Sequence, residues 1–336
     1  DRDRPPDAAA WMCANDLFGP MTPAAMQTIA RPPEAAALAS STVYAATLAI
    51  ETDYELYQIL GSTDAVIAYV GDLVAASSAI YRRDVNTVLQ IGSLYTYSTS
   101  ADPWSATSMD GALFQLGDYW HANRSSVPRS TVHLLSGKRL GGGIAWVGVI
   151  CDRDFSYSGH WGGGYGVSAN INGAFSTTNP SLYWDLLCFS HELGHNFNSD
   201  HTHCYTPPVD KCYSGESGCY SGATSVPPEK GTIMSYCHLR SGGYSNIKLF
   251  FGVAGEPSEP VLGQIRSYVE SRASCLGVVA TAPTVAAVYP DSGPTSGGTA
   301  ITVTGANFQS GATVSLGGVD AVDVVVVGPT PITAVT

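Results

Sequence analysis

Four histidines, a glutamate and a cysteine fall within SHELGHNFNSDHTHC, residues 190–204. If this stretch begins as a helix, His191 and His195 are four apart and share one face, so both imidazoles can reach one metal ion. Glu192 then lies beside them, close enough to hydrogen-bond a water on that metal without displacing it. Zinc lowers the pKa of such a water to about 7, and a carboxylate can take its proton. A third ligand is required, and His201 is the candidate, provided the chain leaves the helix and turns sharply back. A turn of that kind needs a positive φ, where Gly is favoured and Asn is the best alternative. Asn198 stands at that point. The competing reading is a polar surface segment that is merely rich in histidine.

The elements that would position these residues can be read from periodicity. An apolar strand at Val43–Ile50 runs into a helical stretch through Tyr69 to Ser78. DVNTVLQIGSLYTYS and TVHLLSG read as strands, with ALFQLGDYWHANR between them as a helix, and GGGIAWVGVICD follows as another strand. Strands alternating with helices predict an α/β layer. Residues 155–180, dominated by Gly, Ser, Tyr and Asn, read as loop. SLYWDLLCFSHELGHNF is the next helix, its start marked by Asn179-Pro180-Ser181. Gly, Pro and Cys crowd residues 203–245, predicting an irregular, crosslinked region, and SEPVLGQIRSYVESRASC closes the domain as a helix. Beyond a TAPT linker, short β-branched runs separated by Gly/Pro turns carry the signature of a β-sandwich. About five strands are visible before Thr336, so this module reads as incomplete. At the other end, residues 1–42 are rich in Pro and Ala and read as a leader or pro-segment.

Bulk properties narrow the function classes. Lys+Arg of 16 against Asp+Glu of 28 gives a net charge of −12, which argues against nucleic acid or anionic lipid as partners. No uninterrupted apolar run approaches the eighteen or so residues that span a bilayer. Eight cysteines point to an oxidising compartment, the alternative being reduced, buried thiols. No Cys-x-x-Cys pair occurs, which removes a zinc ribbon or a thioredoxin-type site. The first residues, DRDRPPDAAA, have no apolar core and are not a signal peptide, so an exported form would already have lost its signal. Calcium is unsupported, because no loop shows regularly spaced Asp/Asn ligands.

The His191–His201 stretch resembles the metzincin metalloproteases and is most similar to their reprolysin-like (adamalysin-related) secreted bacterial members. Their pattern HExxHxxGxxH is matched with one departure, Asn198 for Gly. GTIMSYC resembles the family's methionine turn, with Met234, and GIAWVGVIC resembles its substrate-pairing edge strand. Residue 202 is Thr, whereas true adamalysins usually have Asp there. The resemblance covers roughly residues 43–280. It implies a twisted mixed sheet with helices, zinc on His191, His195 and His201, and hydrolysis of protein or peptide substrates. Glu192 would act as general base towards the water and then as acid towards the leaving amine. Tyr236 matches the position from which astacin-like and serralysin-like members offer a tyrosine to the metal or the oxyanion; packing is the other reading. A non-catalytic adhesin with the same domain shape is the rival function. His203 would point away, as a support or surface residue, and His121, His133, His160 and His238 have no partner spacing.

The resemblance also implies disulfides Cys151–Cys275, Cys204–Cys237 and Cys212–Cys219, leaving Cys13 and Cys188. A Cys13 thiolate could take the water's place on zinc as a latency switch; a Cys13–Cys188 disulfide or a free thiol is the alternative. Residues 283–336 resemble IPT/TIG immunoglobulin-like domains, in which no residue suggests chemistry.

Overall fold

The computed structural model describes residues 42–279 and 283–336. The chain forms two compact units, one ending at Val278 and the other running from Val279 to Thr336. The expected pro-segment, with Cys13, lies outside the described residues.

In the first unit β1 (Val43–Thr52) is flanked by β2 (Thr87–Tyr95) and β3 (Thr131–Leu135), both parallel to it. The antiparallel edge strand β4 (Gly143–Ala145) joins through a later strand that lies between it and β3. A small hairpin, β5 (Phe155–Tyr157) and β6 (His160–Gly162), precedes that strand, β7 (Tyr165–Ser168). The order is β2-β1-β3-β7-β4, with β8 (Gly277–Val279) pairing β1. The sheet is therefore mixed, as predicted. Parallel strands need crossovers: α-helices join β1 to β2 and β2 to β3, whereas β3 reaches its parallel neighbour β7 through β4 and the β5–β6 hairpin.

Two expectations fail at this point. Residues 155–180 are not loop throughout, since β7 is an interior strand with all four residues buried. YGVS carries no alternation because both its faces are covered, and at four residues it is too short to stand out. Conversely, GGGIAWVGVICD is not one long strand. Only Gly143–Ala145 pairs with β7; the chain then bends, and Gly148 and Val149 donate to His195 O and Asn196 O at 2.9 and 3.0 Å.

Helix α1 (Tyr54–Leu60) is capped by Asp53, whose carboxylate accepts from Leu56 N. Helix α2 (Thr63–Val85) extends the Tyr69–Ser78 stretch in both directions, starting at the Ser62 cap and ending at left-handed Asn86. It is long and apolar enough to cross a membrane by length and composition. Its buried side chains Val66, Val70, Leu73, Val74 and Tyr81 instead belong to the main core, where it packs against β2 and α4. Helix α3 (Met109–Asn123) covers a second apolar cluster with Trp120, Leu113 and Leu116.

The helix that carries His191, α4 (Trp184–Asn196), is buried along its whole length. A helix covered all round belongs in the core of its domain. Its rigidity is thus set by packing rather than by helix propensity. A short 3₁₀ turn, Pro180–Leu182, leads into it, and Asn179 caps that turn through Ser181 N at 3.1 Å. Helix α5 (Glu259–Ser271) closes the unit.

The disulfides Cys151–Cys275, Cys204–Cys219 and Cys212–Cys237 are formed. The first agrees with expectation and the other two exchange partners. The exchange follows from the path of the 205–220 loop: Tyr220 N donates to His203 O at 3.0 Å, which returns Cys219 to Cys204. Cys188 is a free thiol in the core, and burial pushes its pKa well above the usual thiol range.

In the second unit β9 (Thr284–Tyr289), β10 (Ala300–Ala306), β13 (Val322–Val326) and β14 (Pro331–Val335) make a sheet of order β13-β14-β10-β9. A separate pair, β11 (Ser315–Leu316) and β12 (Val319–Asp320), brings the strands to six among the described residues, one more than was read. Ile301, Val303, Phe308, Ile332 and Ala334 form its core.

Candidate metal centre

The last turn of α4 and the segment after it bring His191, His195 and His201 together. His195 Nε2 lies 3.1 Å from His191 Nε2 and 3.1 Å from His201 Nε2. All three side chains are buried. The chain leaves the helix as Asn198 N and Ser199 N donate to His195 O and Gly194 O, at 2.8 and 2.9 Å. Asn198 has φ of 70°, the left-handed conformation expected for the reversal. Gln264 of α5 pins the turn from outside, donating to Asn198 O at 2.5 Å and to Asp200 at 3.2 Å.

The outer nitrogens fix the tautomers. His191 Nδ1 meets Ile233 O at 2.7 Å and His195 Nδ1 meets Ser199 O at 2.8 Å. A carbonyl oxygen can only accept, so each Nδ1 carries the proton and each Nε2 carries a lone pair. His201 Nδ1 reaches the carboxylate Oε2 of Glu216 at 2.8 Å with the same result. Three lone pairs therefore face one another with no proton between them, an arrangement that a cation relieves. Tetrahedral zinc with nitrogen ligands at about 2.0–2.1 Å separates them by roughly 3.3 Å, close to what is observed. The donor set fits a metal ion of the zinc type.

Electrostatics point the same way. Burial, then the neighbouring histidines, holds His191 far below the ordinary histidine range, and His195 is pushed down to about 3, by burial first and His201 second. Neutral imidazoles are the form that ligates. For Glu216, burial raises the pKa, but hydrogen bonds from His201 and His203 outweigh it and leave the carboxyl well below its usual range.

The methionine turn works through its backbone and its sulfur together. Ile233 O accepts from His191, Met234 O accepts from Thr202 N at 3.0 Å, and Met234 Sδ packs against Gly194. A Cβ at Gly194 would sit 2.5 Å from that sulfur and 3.0 Å from Phe251, so the glycine between Leu193 and His195 is needed for close approach.

Glu192 is fully buried on α4 and faces Gly143 of edge strand β4. A Cβ at Gly143 would overlap the Glu192 carboxyl group. Gly143→Ala should therefore displace the carboxylate and lower kcat for peptide cleavage by up to roughly 10²-fold, since errors near 1 Å in positioning can cost that much. Metal content should stay constant. A variant with kcat within twofold of the parent would show that Glu192 is not held by this contact.

Tyr236 is buried beside the triad, its ring centroid 4.6 Å from that of His201 and 6.1 Å from that of His191. His203 is buried, not on the surface, and its Nε2 shares Glu216 Oε2 with His201 at 2.8 Å. Glu216 was not singled out from the sequence. The one available signal was that it is the sole charged residue between Cys212 and Cys219. Of the other histidines, His133 bonds Ser168, His121 bonds Asp154 and His160 bonds Asp118, while His238 stacks on Tyr244, meets the Tyr236 ring and helps to lower the pKa of His191.

Residues 42–251 match the family model described as metallo-peptidase family M12, reprolysin type. The chain belongs to metallo-peptidase family M12. The second unit matches the IPT/TIG domain over residues 283–336. The M12 chain also resembles a solved chaperone–substrate complex, at 14% identity and a TM-score of 0.37, over 67% of this chain and 36% of that one. Metalloproteinase-II from Bacteroides fragilis is similar at 12% identity and a TM-score of 0.32, over 60% of this chain and 52% of that one. The chain thus spans about a third to a half of the length of these two proteins. No curated protein matches it.

Proposed function

We propose that this M12 metallopeptidase is a secreted zinc-dependent endopeptidase, with residues 43–280 as its protease domain, residues 283–336 as an accessory module and residues 1–42 as a pro-segment. The observation that carries the reading is the convergence of three proton-free Nε2 atoms on one point, one residue away from a buried glutamate. His191, His195 and His201 would hold the zinc. When bound, zinc supplies Lewis acidity for the scissile carbonyl and lowers the pKa of a bound water to about 7. Glu192 takes the proton of the attacking water and delivers it to the leaving amine. Its carboxyl group lies directly against Gly143, where any side chain would collide with it. Strand β4, antiparallel at the sheet edge, is assigned to pairing with an extended peptide. Tyr236, beside His201, is assigned to the oxyanion. The three disulfides among the described residues support an extracellular location.

Metal analysis combined with a peptide-library cleavage profile tests this reading. One zinc per chain and cleavage at internal bonds are expected. Zinc without cleavage across a diverse library would favour the adhesin.

Cys13 is assigned to latency. A thiolate on the metal would occupy the position that water needs. Cys13→Ser should then raise the basal activity of the full chain, roughly tenfold if the cap is in place 90% of the time. Equal activity of the variant and the unprocessed parent would end the switch hypothesis.

A further inference from the structure

His191 and His195 donate their Nδ1 protons to backbone carbonyls, whose positions the main chain sets. His201 donates instead to a side chain, Glu216, which reaches it from a different loop. We infer that Glu216 is a positioning residue for the third metal ligand, and that the Cys204–Cys219 disulfide acts on the metal centre through it. This inference deepens the zinc reading and rests on it.

A glutamate side chain has more rotamer freedom to lose than a carbonyl, so it can orient an imidazole only if it is anchored. Three observations supply anchors. The same Oε2 accepts from His203 Nε2 at 2.8 Å, and a carboxylate oxygen has lone pairs for both donors. His203 is buried between Tyr213 and Tyr236, with ring centroids 5.2 and 5.3 Å away, so it cannot follow a moving glutamate. The loop is closed at its base, with Cys204 bonded to Cys219 and Tyr220 N bonded to His203 O. Glu216 lies three residues before Cys219 and its carbonyl accepts from Cys219 N at 3.4 Å. The clip therefore fixes the residue that fixes His201. A carboxylate on the outer nitrogen of a metal-bound histidine sets its tautomer and ring orientation and strengthens it as a donor.

Zinc affinity of the full chain, measured by competition with a chromophoric chelator, tests the assignment independently of catalysis. Glu216→Ala should bind zinc about 10–100-fold more weakly than the parent. Glu216→Gln keeps an oxygen that accepts from His201 and should recover most of that loss. The visible spectrum of the cobalt(II) form should shift in the Ala variant and return towards the parent in the Gln variant. A role confined to holding the loop would lower the metal-free thermal midpoint and leave zinc affinity and the cobalt spectrum unchanged. Replacing Cys204 and Cys219 by Ser should weaken zinc binding in the parent but add little in Glu216→Ala; additive losses would break the link between the clip and Glu216. Zinc binding by Glu216→Ala within threefold of the parent would overturn the assignment. If that variant does not fold, parent-like affinity in both Glu216→Gln and the disulfide variant does so. A parent that binds no zinc would overturn the zinc reading itself.

Discussion

Glu192→Gln should lower kcat/KM for peptide hydrolysis by about 10²–10⁴-fold, the range contributed by a positioned general acid–base group, with one zinc per chain retained. Glutamine keeps the size and shape of the side chain, so the contact with Gly143 and the packing of α4 survive. What it loses is the capacity to take up and return a proton. The ligands are untouched, because His191, His195 and His201 hold their tautomers through Ile233, Ser199 and Glu216, none of which involves Glu192. Stability should not fall either, since the change removes a carboxylate from a fully buried position without opening a cavity. Steady-state kinetics with metal analysis and a thermal melt separates the possibilities. A zinc-loaded, folded variant retaining more than a tenth of parent activity would mean that another group moves the proton.

How far the centre was legible from sequence depends on the range over which each contact acts. The pair His191 and His195 was readable because helical periodicity alone places residues four apart on one face. Asn198 was readable because a left-handed residue is a local requirement of the turn, and its φ of 70° meets it. The helix itself followed from SLYWDLLCFSHELGHNF behind Asn179-Pro180-Ser181, but its burial along the whole length, Asp185 included, depends on tertiary packing that this segment does not reveal. Strand β7 was not readable, because burial on both faces erases alternation and four residues leave no other mark. The shortness of β4 was hidden for the opposite reason: GIAWVGVIC is apolar enough for a strand, yet the backbone of Gly148 and Val149 is used to hold the end of α4. Two disulfides exchanged partners, and Glu216 was missed, for one shared cause. Both depend on the path of an irregular loop in which no periodicity operates, and only the hydrogen bond from Tyr220 N to His203 O shows where the loop returns.

Stripping the metal should lower the thermal midpoint by about 8–16 °C and leave a form that acid destabilises. Zinc at a thousandfold excess over its dissociation constant contributes about 4 kcal/mol to the folded state, and a domain of this size shifts by about 2–4 °C per kcal/mol. The acid sensitivity follows from the ligands. His195 has a folded pKa of about 3, lowered by burial and by His201, against an ordinary value near 6.5, and His191 is lowered in the same direction by burial and its neighbouring histidines. Between those values the unfolded chain binds protons that the folded metal-free chain refuses. Stability therefore rises with pH across this window and is lost as pH falls below about 6.5. His133, held at about 3 by burial, adds to the trend. Glu51 and Asp185, raised by burial to about 7 and about 6, oppose it, because the folded state holds their protons where the unfolded state releases them. The contribution of one ligand can be isolated by comparing metal-free parent with metal-free His195→Asn, in which the opposing groups are unchanged. Between about pH 5.5 and 4 the parent's unfolding free energy should climb more steeply with pH, by about 1.4 kcal/mol per unit, the value of one proton. Identical slopes would mean that His195 is protonated in the folded metal-free state, and the three proton-free nitrogens that make the centre a metal site would not exist as described.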